Sequence, residues 1–389
     1  MKLKTLFKHS YVSLAIICIT IFSSCERITF EDYALIEYDG QLTWQLETEE
    51  ADWPDRIDPE VVVFQNKLWV MGGYNPGEMK GDSYYEDVWS SEDGKSWKLI
   101  TNDAPWKGRR GHRLVNFDDG TGEAIFLIGG FSSEEKTGER LYKNDVWKSK
   151  DGKNWELIKS GTSPELDDGT DWFPRMYPGC VVTNHGGQNY IYLFGGRTMR
   201  TGMDARYATI YFNDVWRSTD GANWEKLDTD DYGIRSEHAF AVDENGTIYT
   251  QGGLHGLYFD AEENGTHPTK NWHHLYTTTD GVNWTERLDS VDIDESMMWR
   301  SGHKMVHYKG KLWTLPGKTT SSVHYTFSNP NHYSTWTHDG TDFGIDSRGV
   351  AVDARHNYAA VVFQDKIWVL GGYTNRNGQS SDVWSATLN

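Results

Sequence analysis

The amino-acid sequence predicts an all-β fold, and three observations carry that prediction. The 389 residues hold 18 Trp, 21 Tyr, 15 Phe and 39 Gly with only 10 Pro. Such aromatic content excludes a disordered chain, and so many Gly and Trp exclude a helical bundle. An apolar strand closed by a small turn motif returns six times along the chain. Asp-Gly dipeptides, a hairpin-turn signal, follow at a fixed place in five of those repeats. The length suits two average domains or one large one. The formal charge of −19 argues against a general nucleic-acid binder, which needs a basic face to release counterions.

The N-terminal segment is an address rather than part of the fold. Lys2, Lys4 and Lys8 precede an apolar run from Val12 to Phe22, and no acid occurs before Glu26. That run is too short to cross a bilayer as a helix and suits the apolar region of an export signal. Phe22-Ser23-Ser24-Cys25 follows and resembles the cleavage box of bacterial lipoproteins. The resemblance implies a signal peptide over 1–24 and a lipidated Cys25 opening a short linker over 25–41. It implies a place in the bacterial cell envelope, held by acyl chains and not by a helix. Without residues 1–24 the chain keeps 35 basic and 57 acidic residues, a net charge of −22. Cys18 leaves with the signal and Cys25 takes lipid, so Cys180 remains alone and no intramolecular disulfide forms.

Each repeat reads as four short strands, a to d. In the first, strand a is Val61 to Phe64 and strand b runs from Leu68 to Met71. Strand b ends in Gly-Gly, where a close backbone approach or positive φ is needed. The pairs are Gly72-Gly73, Gly129-Gly130, Gly195-Gly196, Gly252-Gly253 and Gly371-Gly372, with Pro316-Gly317 degenerate. Strand c carries Asp-Val-Trp, as at Asp87 to Trp89. The Asp-Gly turns, such as Asp93-Gly94 and Asp151-Gly152, predict type I′ hairpins into strand d, which carries Trp97, Trp155, Trp224, Trp284 or Phe343. Four antiparallel strands per repeat predict the blades of a β-propeller. The sixth repeat stops after Asp382-Val383-Trp384 and lacks strand d, whereas Leu42 to Leu46 reads like a strand d without a repeat. The expectation is a single six-bladed propeller over 42–389, closed by the N-terminal strand completing the last blade, which removes exposed sheet edges. These motifs resemble those of the kelch family of β-propellers, with all six units in register.

The b–c loops and d–a connections of such a blade emerge on one face, and long variable loops on a rigid scaffold are where function usually sits. Arg occupies one column of the d–a connections in every unit: Arg56, Arg109, Arg175, Arg235, Arg300 and Arg355. Six-fold closure predicts a ring around the channel mouth, suited to carboxylate, sulfate or phosphate. The alternative is internal bonding between blades or to acids such as Asp58 and Glu237. Trp53, Trp106, Trp172 and Tyr232 stand three positions earlier, and Trp299 adjoins Arg300. They suggest a stacking rim for sugar rings or packing between blades. His112, His238 and His303 stand three positions after the Arg. Glu237, Tyr177, His238 and His303 are the candidate acids and bases if the chain is an enzyme.

Two readings follow. In the first, a lipid-anchored module binds an anionic carbohydrate, a sugar acid or acidic glycan, on the Arg/Trp face. In the second, a sugar-acid enzyme, mutarotase or lyase, uses the same pocket. A protein partner is a further possibility, since the fold alone does not choose. The kelch-type sialic-acid mutarotases are similar in size, address and Arg ring, but their motifs beyond the repeat are not found here. Copper galactose oxidases also use this type of propeller, but the column facing Cys180 offers no Tyr. No metal and no cofactor is implied.

Overall fold

The structure is a computed structural model. It describes residues 42–388 apart from 78–83, 134–139, 163–168, 200–208, 231, 255–257, 261–264, 268–273, 288–299, 320–334, 339–342, 348–354 and 375–377. These belong to the compact unit Glu37–Asn389. The export signal, Cys25, Trp299 and most of the long loops of units 4 and 5 lie outside the described residues.

Every regular element among the described residues is a strand. Five stretches of chain each form an antiparallel four-stranded blade. Blades 1 to 5 begin with Glu60–Phe64, Arg113–Asp118, Gly179–His185, Ala239–Val242 and Met305–Tyr308, and end with Lys98–Thr101, Glu156–Lys159, Glu225–Leu227, Thr285–Glu286 and Phe343–Ser347. A composite closing sheet takes Ala359–Phe363, Lys366–Thr374 and Gly378–Leu388 from one end of the chain and Leu42–Thr48 from the other, with the short Arg355–His356 alongside. Leu42 lies opposite Leu388, and Leu46 opposite Trp384. The first strands of successive sheets touch in a circuit that returns from Ala359–Phe363 to Glu60–Phe64. The chain is an all-β propeller, with five four-stranded blades and one sheet assembled from both ends of the chain.

The core lies between blades, because each sheet has two apolar faces to cover. Val62, Phe64 and Trp69 of blade 1 meet Leu114, Ile125 and Leu127 of blade 2. Val115, Phe126 and Ile128 on the other face of blade 2 meet Ile191 and Leu193 of blade 3, with Cys180 buried among them. Cys180 is therefore a core residue, and burial pushes its thiol up to about 12.

The Asp-Gly turns differ from expectation. A type I′ turn needs positive φ at both central residues, yet of Asp151 and Gly152 only Gly152 has it, at 69°. The Asp side chain shapes a longer loop instead: Asp151 Oδ1 accepts from the backbone N–H groups of Lys153 and Asn154 at 2.9 and 2.7 Å. The glycine answers to the neighbouring blade. A Cβ on Gly152 would lie 2.1 Å from the Trp69 ring of blade 1.

Glu47 pins the closing strand. Its carboxylate accepts from Lys95 of blade 1 at 2.7 Å and from Lys366 and Ser385 of the closing sheet at 3.0 and 2.7 Å. Burial alone would raise its pKa, but these bonds bring it from 4.5 to about 2. A carboxyl whose pKa is depressed by folding stabilises the fold above its unfolded value and loses that effect as pH falls. Glu47→Gln is expected to melt below wild type at neutral pH. The gap should shrink between pH 4.5 and about 2, as scanning calorimetry across that range will read.

Candidate functional site

The six arginines of the d–a column are 0–3% exposed. Four make two-toothed pairs with the Asp of Asp-Val-Trp in their own sheet. Arg56 reaches both oxygens of Asp87 at 2.7 Å, Arg109 those of Asp145 at 2.7 and 3.0 Å, and Arg355 those of Asp382 at 2.7 Å. Arg175 holds Asp214 in the same way. Each also donates to the first glycine carbonyl of the Gly-Gly pair, as Arg109 does to Gly129 O at 2.8 Å. The Trp two residues after the Asp faces the same side of the strand and donates to the same carboxylate, as Trp147 does to Asp145 at 2.9 Å. In blade 4, His274 replaces the Asp; Arg235 donates to Tyr232 O at 2.6 Å and lies over the Tyr276 ring. Arg300 donates to Leu315 O at 3.4 Å, and burial pushes its pKa down to about 10. The expected open ring of anion-binding arginines is thus corrected: these groups are buried, and in four sheets they lock the b–c loop and d–a connection together. Four of them take the repeat's own Asp residues as partners, rather than Asp58 or Glu237.

The aromatic rim is likewise internal. Trp53, Trp106, Trp172 and Tyr232 are 0–1% exposed. Each packs on the strand d Trp of the next blade: Trp53 on Trp97, Trp106 on Trp155, Trp172 on Trp224 and Tyr232 on Trp284, at 6.1, 5.8, 5.8 and 4.3 Å. No sugar reaches these rings. His112, His238 and His303 are also buried, and desolvation holds His112 down at about 3 and the other two well below the usual range. His112 fills the space over Gly72 of the preceding blade, 2.2 Å from where a Cβ would stand, and His303 does the same over Gly252. They are neutral inter-blade packing residues, so His238 and His303 are corrected as acid–base candidates.

The channel mouth is built by the columns beside these. Two positions after each Arg stand Asp58, Gly111, Tyr177, Glu237, Gly302 and Asn357, all left-handed with φ between 54° and 62°. For Asp, Tyr, Glu and Asn that conformation costs about 1–3 kcal/mol each, a cost that concentrates at functional sites. Backbone bonds join neighbours in this ring, Asp58 N–H to Asn357 O and Tyr177 N–H to Gly111 O, both at 2.7 Å. One position after each Arg, the backbone pairs with the residue following Gly-Gly: Ile57 with Tyr74, Arg110 with Phe131, Met176 with Arg197, Ser236 with Leu254, Ser301 with Lys318 and His356 with Tyr373. This pairing places both kinds of loop on one face.

Two cations and two carboxylates converge there. The Arg110 side chain is 26% exposed, lies 3.7 Å from Asp58 and stacks over Tyr74. The Arg197 side chain is 21% exposed, lies 2.7 Å from Glu237 and sits over the Tyr177 ring. Tyr177 donates its hydroxyl to Asp58 Oδ2 at 2.6 Å. Burial, with Asp58 beside it, raises the Tyr177 pKa, so this phenol keeps its proton and donates rather than acting as a ready base. Below the ring, Arg113 pairs with Glu60 while Lys304 reaches Glu60 at 3.4 Å. The cavity between these layers is only about 20 Å³, room for about one water. Among the described residues no group of three or more His, Cys, Asp and Glu is placed to hold a metal.

The Kelch motif family matches residues 354–385, which span Arg355, Gly371-Gly372 and Asp382. The fold is a kelch-class β-propeller. The solved structure of YjhT superposes with a TM-score of 0.58 at 12% identity, covering 86% of this chain and 95% of that one. At this identity the likeness concerns the kelch fold alone. No curated protein matches the chain.

The Arg, aromatic and His columns expected from the sequence are buried, and the columns beside them line the mouth. Arg110, Arg197, Asp58, Asn357 and His356 form the mouth, with Tyr177 and Glu237 from the candidate list. Their signal was departure from the repeat: the Arg column is constant because the fold uses it, whereas the columns beside it vary between sheets.

Proposed function

We propose that this chain is an exported, lipid-anchored kelch-like propeller that binds an anionic carbohydrate, a sugar acid or acidic glycan, at the channel mouth. In this reading the composite sheet is the sixth blade. The observation that carries the proposal is the pair of partly exposed guanidinium groups, Arg110 and Arg197, flanking Tyr177 at the mouth of an otherwise acidic protein. Guanidinium groups recognise carboxylates through paired, permanently charged hydrogen bonds. Glu237 favours a polyhydroxylated ligand, since a carboxylate accepts from hydroxyls. A second reading, a sugar-acid enzyme of mutarotase or lyase type, is supported by the hydrogen-bonded Tyr177–Asp58 pair and by Glu237 beside Arg197.

Proton NMR with a panel of sialic acids, uronate oligosaccharides and sulfated glycans tests both. Saturation transfer without new peaks identifies a binder; anomeric or vinylic peaks growing with time identify an enzyme. No response to any acidic sugar overturns both and points to a protein partner. Arg110→Ala and Arg197→Ala are each expected to weaken binding about 10- to 150-fold, the loss of a charged hydrogen bond. Added salt should weaken wild type in the same direction. The anchor is tested separately: Cys25→Ser should leave the protein without lipid by mass spectrometry and move it out of the membrane fraction.

A further inference from the structure

A hydrogen-bonded relay crosses the mouth from blade 3 to the closing sheet, and it sets the chemistry of one more side chain. Both oxygens of Asp58 are engaged: Oδ2 accepts from the Tyr177 hydroxyl and Oδ1 from Asn357 Nδ2, each at 2.6 Å. A carboxylate offers only acceptors. Asn357 must therefore turn its NH₂ toward Asp58, which leaves its carbonyl oxygen facing His356 Nδ1 at 2.6 Å. An amide oxygen also only accepts, so the proton on this contact belongs to Nδ1. A neutral imidazole with Nδ1–H keeps a lone pair on Nε2. Burial lowers the His356 pKa, although the Asn357 bond works in the other direction, in keeping with a neutral ring. The ring stacks on Tyr373 at 5.2 Å and 26°, their backbones are paired, and Tyr373 is 38% exposed.

We propose that His356 is a ligand-contacting residue of the mouth: the Tyr177–Asp58–Asn357 relay presets Nε2 as an acceptor for a ligand hydroxyl, with Tyr373 as the adjoining ring platform. The ligand class rests on the channel-mouth reading above; the preset tautomer does not.

Long-range proton–nitrogen correlation spectra of the full chain test the tautomer without a ligand. The His356 signals, identified by their loss in His356→Phe, are expected to show a protonated Nδ1 and a bare Nε2. Asn357→Leu should abolish that preference. Titration with the acidic-sugar panel then tests the contact. His356→Phe retains a ring against Tyr373 and should weaken binding about 2- to 12-fold, the net value of one hydrogen bond. His356→Gln restores an acceptor of similar reach and should recover part of the loss. A wild-type Nε2–H tautomer, or unchanged affinity in His356→Phe, overturns the proposal. If wild type binds no member of the panel, the ligand-class reading fails, and the tautomer spectrum alone decides on the preset acceptor.

Discussion

Asp145→Ala is expected to destabilise the propeller by about 3–5 kcal/mol, a large share of the stability of an ordinary domain. The substitution removes both oxygens that hold the Arg109 guanidinium, 2.7 and 3.0 Å away, and leaves that charge 1% exposed between two blades. It also takes away the acceptor of Trp147 Nε1. Arg109 itself stays buried, so much of the desolvation cost of the unpaired cation falls on the folded state. Urea unfolding followed by tryptophan fluorescence will read this as a lower midpoint. The double substitution Arg109→Met with Asp145→Leu should recover much of the loss, because a buried ion pair replaced by apolar groups of similar volume is often neutral or better. If Asp145→Ala left stability unchanged while ligand binding disappeared, the Arg column would belong to the site after all.

Trp106→Ala should cost about 3–5 kcal/mol through the cavity it leaves. Trp106 is 0% exposed, sits edge-on to Trp155 at 5.8 Å, and belongs to the apolar cluster that joins blades 1 and 2. Neither face of the ring is open to a sugar. Thermal melting should show the loss. Glycan affinity per folded molecule should stay at the wild-type value, whereas Arg110→Ala should lower affinity with little effect on melting. The two variants together separate packing from recognition on the same face.

The repeat was legible because each blade solves the same local problem. The Gly-Gly pair recurs where its neighbours leave no space for side chains: a Cβ on Gly72 would lie 2.2 Å from His112, and one on Gly73 2.9 Å from Ile57 O. The Asp of Asp-Val-Trp recurs because Arg and Trp both need it. The missing strand d was legible from the matching phrase at Leu42 to Leu46, and the pairing with Gly378–Leu388 follows it.

The candidate site was legible only in part, for the same reason. A repeat consensus records what the fold demands of every blade, so its most constant residues are the ones most deeply used by packing. Arg56 and its five counterparts, Trp106, and the histidines over the glycines are of this kind. Glu237 was legible as the carboxylate beside His238, and Tyr177 as a titratable group in the same zone of its own connection. Their left-handed φ near 55°, and the relay that joins Tyr177 to residues 119 and 180 positions away in sequence, Asp58 and Asn357, had no sequence signal.

The sequence by itself determined the strand count per repeat, the punctuation of each turn and the means of closing the ring, because those follow from local periodicity and turn chemistry. Only the tertiary structure decided which side chains of the shared face are buried and which meet at the mouth. That choice depends on where six separate connections converge around one axis, and on which charges the neighbouring strands have already paired.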